Sequence, residues 1–193
     1  MPGMRNWLWA LAAVAVWLLA AHVQNGPEPR SANAPGESFS AIRAKAVLGR
    51  IQGPQRPHPA GSLENAAVHA RVRQELDRLQ VPVATLAARQ CYSEPRWPAI
   101  ACADIVDLIA EVVPGQGKAI VLMAHMDSVP AGPGAGDDGS GVATVLETIR
   151  ALKAAPTQSR HPVIALFTDG EEAGLLGAAA FVEDPRWRDR TGI

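Results

Sequence analysis

Ala119-Ile120-Val121-Leu122-Met123-Ala124-His125-Met126-Asp127 is the stretch on which the reading of this chain turns. Its apolar run is short for a helix and right for a buried strand, and it stops at a histidine and an acid. A second run of the same kind, Val163-Ile164-Ala165-Leu166-Phe167, leads into Thr168-Asp169-Gly170-Glu171-Glu172. Between the two, Gly136-Asp137-Asp138-Gly139-Ser140-Gly141 forms a glycine-rich turn. Val142, Val145, Leu146, Ile149 and Leu152 follow it at helical spacing and predict a helix. Strand, helix and strand in that order imply parallel pairing and an α/β sandwich. In open α/β sheets, polar groups just beyond the carboxyl ends of strands converge on one place.

Imidazole nitrogen and carboxylate oxygen, without thiolate, make up the ligand set of a catalytic zinc site. In an extended segment residues two apart face the same side, so Asp127 lies beside His125 and can accept its second ring N–H. A carboxylate in the tight turn, at Asp137 or Asp138, can bridge two cations. Glu171 and Glu172 are neighbours whose side chains diverge in a turn, so that one can bind metal while the other stays free as a general base. Taken singly, these features have ordinary readings. Asp-Asp-Gly is often a turn with a helix cap, and Glu-Glu is usually a solvated pair. Their order, and their shared position after strands, point to a metallohydrolase.

Three segments, 121–129, 133–141 and 169–177, carry a resemblance to the co-catalytic di-zinc aminopeptidase family. That family includes bacterial leucyl aminopeptidases, glutamate carboxypeptidase II and membrane-embedded endoplasmic reticulum metallopeptidases. A weaker likeness to this last branch runs through Arg56-Pro57-His58-Pro59-Ala60-Gly61-Ser62-Leu63-Glu64-Asn65. The resemblance implies a three-layer α/β sandwich with a mixed, mostly parallel sheet, incomplete in this chain, and two zinc ions (Zn2+). It assigns His125 and Glu172 as ligands of different metals, Asp137 as the carboxylate bridging both, Asp127 as the partner of His125, and Glu171 as the general base. It also implies a cis peptide between Asp137 and Asp138. Two further ligands, an acid in the next strand and a late histidine, are expected beyond Ile193. Peptide is the implied substrate.

Related families remain as alternatives. Carboxypeptidases and acylases that also use His-x-Asp and Glu-Glu usually place the bridging aspartate farther from the histidine. Glutaminyl cyclases share the fold with a single zinc. A non-catalytic relative resembling the transferrin receptor ectodomain would lack metal ligands, whereas this chain has every one expected within the matching segments.

Composition bounds the rest. A formal net charge of −1 over 193 residues offers no basic surface for nucleic acid. Trp7 to Ala21 is an unbroken apolar run after Arg5, on the border between a signal peptide core and a spanning helix. We read it as an uncleaved anchor over 1–23, holding an exported catalytic body at a membrane, with a cleaved signal as the alternative. Residues 24–37, rich in Gly, Pro, Asn and Ser, read as a flexible linker, and 38–193 as the front of the catalytic domain. Export would let Cys91 and Cys102, which bracket a loop containing Pro95 and Pro98, form a local disulfide or remain small core residues. Ser40 to Ile51 and a segment capped by Ser62 read as helices, and 81–86 and 103–113 as strands. Pro114-Gly115-Gln116-Gly117 reads as a hairpin turn into the strand carrying His125. The sequence does not set the oligomeric state.

Overall fold

A computed structural model describes residues 4–24, 26–93, 100–155 and 159–191. The order is α1 (Met4–Gln24), α2 (Ala41–Gln52), α3 (Leu63–Arg78), β1 (Val83–Ser93), β2 (Ile100–Val113), β3 (Ile120–His125), α4 (Ser140–Ala154), β4 (Val163–Thr168), α5 (Leu176–Glu183) and α6 (Pro185–Thr191). Local chemistry sets the boundaries of the first body helices. The Ser40 hydroxyl accepts the Arg43 N–H and the Ser62 hydroxyl accepts the Asn65 N–H, satisfying amides that a helix start leaves unpaired. Gly53, at φ 56°, ends α2 in a conformation costly for other residues.

The strands form one open, mixed sheet in the order β1-β2-β4-β3. Alternation along its strands sorts the core into two layers. Leu108, Ala110, Ala165 and Phe167 face one way and pack with Val47 and Ile51 of α2, Val72 and Leu76 of α3, and Leu146 and Ile149 of α4. Ile109, Ile164 and Leu166 face the other way, toward Phe181 of α5 and Trp187 of α6. The result is helix, sheet and helix, the expected three-layer sandwich. Strand β4 is buried at all six positions, which is why its sequence is continuously apolar.

Two expectations are corrected. Among the described strands, β1/β2 and β2/β4 pair antiparallel and only β3/β4 is parallel, so this part of the sheet is mixed but not mostly parallel. Residues 114–117 do not close a hairpin between β2 and β3, because β4 inserts between them. The turn packs against the entry to β4 instead, with the Gln116 N–H donating to the Arg160 carbonyl at 3.1 Å. A strand as apolar as β4 gains most from a neighbour along each edge, and β2 and β3 supply them.

The hairpin of β1 and β2 is longer than its sequence pattern indicates. Cys91 and Cys102 sit directly opposite each other in its ladder and are joined by a disulfide. Pro95 and Pro98 lie outside the described residues. From Trp7 to Gln24 helix α1 is solvent-exposed apart from half-buried Ala21, and this stretch is long and apolar enough to cross a membrane. Residues 26–40 form neither helix nor strand, yet they are held to the body. Arg43 donates to the carbonyls of Ala32, Ala34 and Ser38, and Arg150 to those of Gly36 and Ser38.

Candidate metal centre

His125 is the last residue of β3 and pairs in register with Thr168, the last residue of β4. Parallel pairing therefore brings the loop after each strand to the same end of the sheet. The third contribution comes from the turn between β3 and α4, where Gly134 adopts φ 62° and the Asp137–Asp138 peptide is cis. The two aspartates divide their work. Asp138 points inward, its carboxylate accepting the Gly141 N–H at 3.0 Å and the His125 N–H at 3.3 Å. A side chain at Gly141 would collide with that carboxylate, so the glycine permits the turn to close. The Asp137 side chain is left 86% exposed, with Oδ1 3.1 Å from His125 Nε2.

Donor atoms of His125, Asp137 and Glu172 all lie within 4.8 Å of one another. Glu171 stands beside them, one of its oxygens 3.8 Å from His125 Nε2. His125 Nε2 thus faces the carboxylates, and Nδ1 faces away, 3.1 Å from the Asp127 carbonyl and 3.4 Å from the Asp127 carboxylate. This is the orientation a metal-ligating imidazole needs, with the outer nitrogen engaged so that the inner one is presented. Asp127 does more than the sequence pattern suggests. Its two oxygens also accept the N–H groups of Glu171, at 3.0 Å, and of Glu172, at 3.1 Å. It therefore fixes the histidine and the glutamate turn relative to each other.

The charge balance fits a cation. Burial alone would lower the pKa of His125, but hydrogen bonds to Asp127 and Asp137 and the charge of Glu171 push it up to about 9. Burial, then the negative charges of Asp137 and Glu171, raises the Glu172 carboxyl above its usual range. Burial opposes ionisation of Asp127, yet the hydrogen bonds from His125 and the two glutamate amides hold its pKa low. Converging carboxylates whose charge is met only by one imidazole are a set that a divalent cation would neutralise. The donors are all oxygen and nitrogen, as zinc and its neighbours accept.

Other residues at this centre are given no role by the sequence reading. Asp107 lies in β2, wholly buried, and Asp169 ends the apolar run of β4. Burial, then the nearby charges of Asp169 and Asp127, pushes the Asp107 carboxyl up to about 7, against the pull of the Asp169 N–H. One acid inside Ile105-Val106-Asp107-Leu108-Ile109 was a visible signal, since a lone charge in a core strand requires a partner. The Arg56–Asn65 stretch also reaches the centre. Ser128 Oγ accepts the His58 N–H at 2.8 Å, and Asn65 Nδ2 donates to Asp169 at 3.1 Å.

A three-layer mixed sheet, with histidine and carboxylates gathered at the ends of adjacent parallel strands, defines an aminopeptidase-like α/β fold. Residues 107–193 match the model of Peptidase family M28. The vacuolar membrane protease of Pyricularia oryzae is 49% identical over 70 residues, which cover 36% of this chain and 7% of that protein. The vacuolar membrane protease of Candida albicans (strain SC5314) is 45% identical over 78 residues, covering 40% of this chain and 9% of the relative. The chain thus spans less than a tenth of the length of these relatives. Among solved structures, a zinc aminopeptidase from Bacillus subtilis superposes with TM-score 0.66 at 14% identity, covering 80% of this chain and 68% of that one. Porphyromonas gingivalis glutaminyl cyclase gives TM-score 0.60 at 24% identity, covering 76% and 54%. At such identities the likeness shows the fold.

Proposed function

We propose that this chain carries the catalytic front of a zinc-dependent exopeptidase of the aminopeptidase type, held at a membrane by α1 with its catalytic body exported. The observation that carries the reading is the convergence of His125, Asp137 and Glu172 donors within 4.8 Å, with Glu171 alongside. His125, Asp137 and Glu172 would hold the metal, with Asp137 as the carboxylate that two zinc ions would share. When bound, zinc supplies Lewis acidity that brings the pKa of water from 15.7 down to roughly 7. Asp127 keeps His125 in the tautomer that presents Nε2, and it holds the amides of Glu171 and Glu172 in place. Glu171 takes the proton from the attacking water and returns it to the leaving amine. The substrate is a peptide with a free amino terminus.

The test separates the two glutamates in the full-length protein. Glu171→Gln keeps the size of the side chain but removes its basicity. Zinc content should stay normal while turnover falls by about 10²–10⁴-fold. Glu172→Gln removes an anionic ligand, so zinc content itself should fall, with partial recovery in excess zinc. The reverse pattern would exchange the two roles, and full activity in both variants would end the reading. A glutamine-terminated peptide in the same assay distinguishes release of the residue from its cyclisation.

A further inference from the structure

Four consecutive amides of the loop that carries the glutamate pair end on carboxylates. The Asp169 N–H is accepted by Asp107 at 2.9 Å and the Gly170 N–H by Asp169 at 3.0 Å, while those of Glu171 and Glu172 are accepted by Asp127. The Asp169 carboxylate also accepts from Asn65 Nδ2 and the Val106 N–H, both at 3.1 Å, and lies 3.6 Å from His69 Nε2. Asp107, Asp127, Asp169 and Asn65 are all buried. The loop is therefore tied to β2, to helix α3 and to the end of β3 by hydrogen bonds to buried side chains.

Asp107 does not fit a purely stabilising role. A carboxyl inside a core strand costs free energy that an apolar residue at the same place would not. Only its Oδ1 is engaged, and Oδ2 has no partner among the described residues. The start of α5 is also shaped around this contact. A Cβ at Gly177 would run into Asp107 Oδ1 and the backbone of Asp169. The packing here serves the placement of the loop at the expense of stability.

We infer that Asp107 and Asn65 are positioning residues for the Glu171–Glu172 pair: they fix the amide and carboxylate of Asp169, and through them the place of both glutamate side chains at the metal. The inference rests on the function proposed above, because it needs that pair to matter. The physical requirement is general, since a catalytic group must be held within about 0.5 Å of its productive place by supports that do not move.

The experiment uses the full-length protein in detergent, with zinc affinity measured by chelator competition alongside kcat, KM and thermal midpoint. Asp107→Leu removes the acceptor, whereas Asp107→Asn keeps an oxygen where Oδ1 stands. Asp107→Leu should lower zinc affinity and kcat by about 10-fold each, with KM nearly unchanged and the thermal midpoint equal or higher. Asp107→Asn should restore both to within roughly threefold. Asn65→Ala, a trim at the edge of the network, should give a loss of about 3–10-fold in zinc affinity, and it carries the test if the leucine variant does not fold. Wild-type zinc affinity and turnover in a folded Asp107→Leu, or unchanged zinc affinity in Asn65→Ala, would overturn the inference. A loss that Asn does not rescue, and that follows the thermal midpoint, would overturn it too. If the wild type binds zinc but cleaves no peptide, the exopeptidase reading fails, and the zinc arms still decide the positioning.

Discussion

Two groups of acids in this molecule differ in what answers their charge. Glu147 on α4 is 1% exposed and fully met by cations and an amide. Arg43 Nε lies at 2.9 Å, Arg150 Nε at 2.7 Å, and the Ser40 N–H donates at 3.0 Å. Burial works against its ionisation, and the two arginines hold its pKa below the usual carboxylate range. At the other group, Asp127, Asp137 and Glu171 pair only with His125, and no lysine or arginine among the described residues forms an ion pair with them. The Glu172 carboxyl there is raised where that of Glu147 is lowered. An acid cluster already balanced by arginine is a clamp. One left in excess, at strand ends, is a place for a cation.

Removing each centre acid should therefore have a different kind of consequence. Glu147→Ala leaves two guanidinium groups without their shared partner and should cost about 3 kcal/mol of stability, read from denaturant midpoints. Zinc affinity per folded molecule should not change, and a parallel loss of affinity would break the distinction. Asp127→Asn should weaken zinc affinity or turnover by about 10–100-fold without unfolding the protein, because one of its acceptor oxygens becomes a donor facing an amide. Unchanged zinc titration and turnover would remove Asp127 from the centre.

A third contrast is a difference in sign with pH, measured as urea midpoints of metal-free protein from pH 3 to 8. For Asp107 the folded pKa of about 7 lies above the ordinary 3.8, so folding carries no ionisation penalty there below the unfolded value, and stability is lost as pH rises through 7. For Glu147 the folded pKa is depressed below 4.5, so its contribution is present above that value and is lost as pH falls through the folded pKa. Asp107→Asn should abolish a decline on the order of 3 kcal/mol between about pH 4 and 7. Glu147→Gln should flatten the acid limb and leave that decline in place.

Much of the candidate centre could be read from local pattern. Apolar runs marked β3 and β4, and the polar residues just beyond them fell where parallel strands must bring them together. Glycine marked the turn at 136–141, and Ser40 and Ser62 announced the starts of α2 and α3. What escaped depended on partners far away in sequence. The pairing of Asp107 with the amide of Asp169 crosses 62 positions and leaves no local periodicity. The turn at 114–117 shows in its proline and glycines, but turn chemistry does not say which strand lies alongside. Strand β1 has no buried position in its row, so its alternation is too weak to show its full length. Residues 24–37 read as a linker because Gly, Pro, Asn and Ser are frequent in them. What secures them are two arginines, and one of these is more than 100 positions downstream.

That attachment sets a reach. The first carbonyl captured by the body is that of Arg30, which accepts from the Ser40 hydroxyl, and α1 ends at Gln24. Residues 25–29 could stretch over at most roughly 18 Å. With α1 in a bilayer, the body would ride on a short leash, a few turns of helix from the lipid surface, and a substrate of the exopeptidase proposed above would be met first in that thin shell.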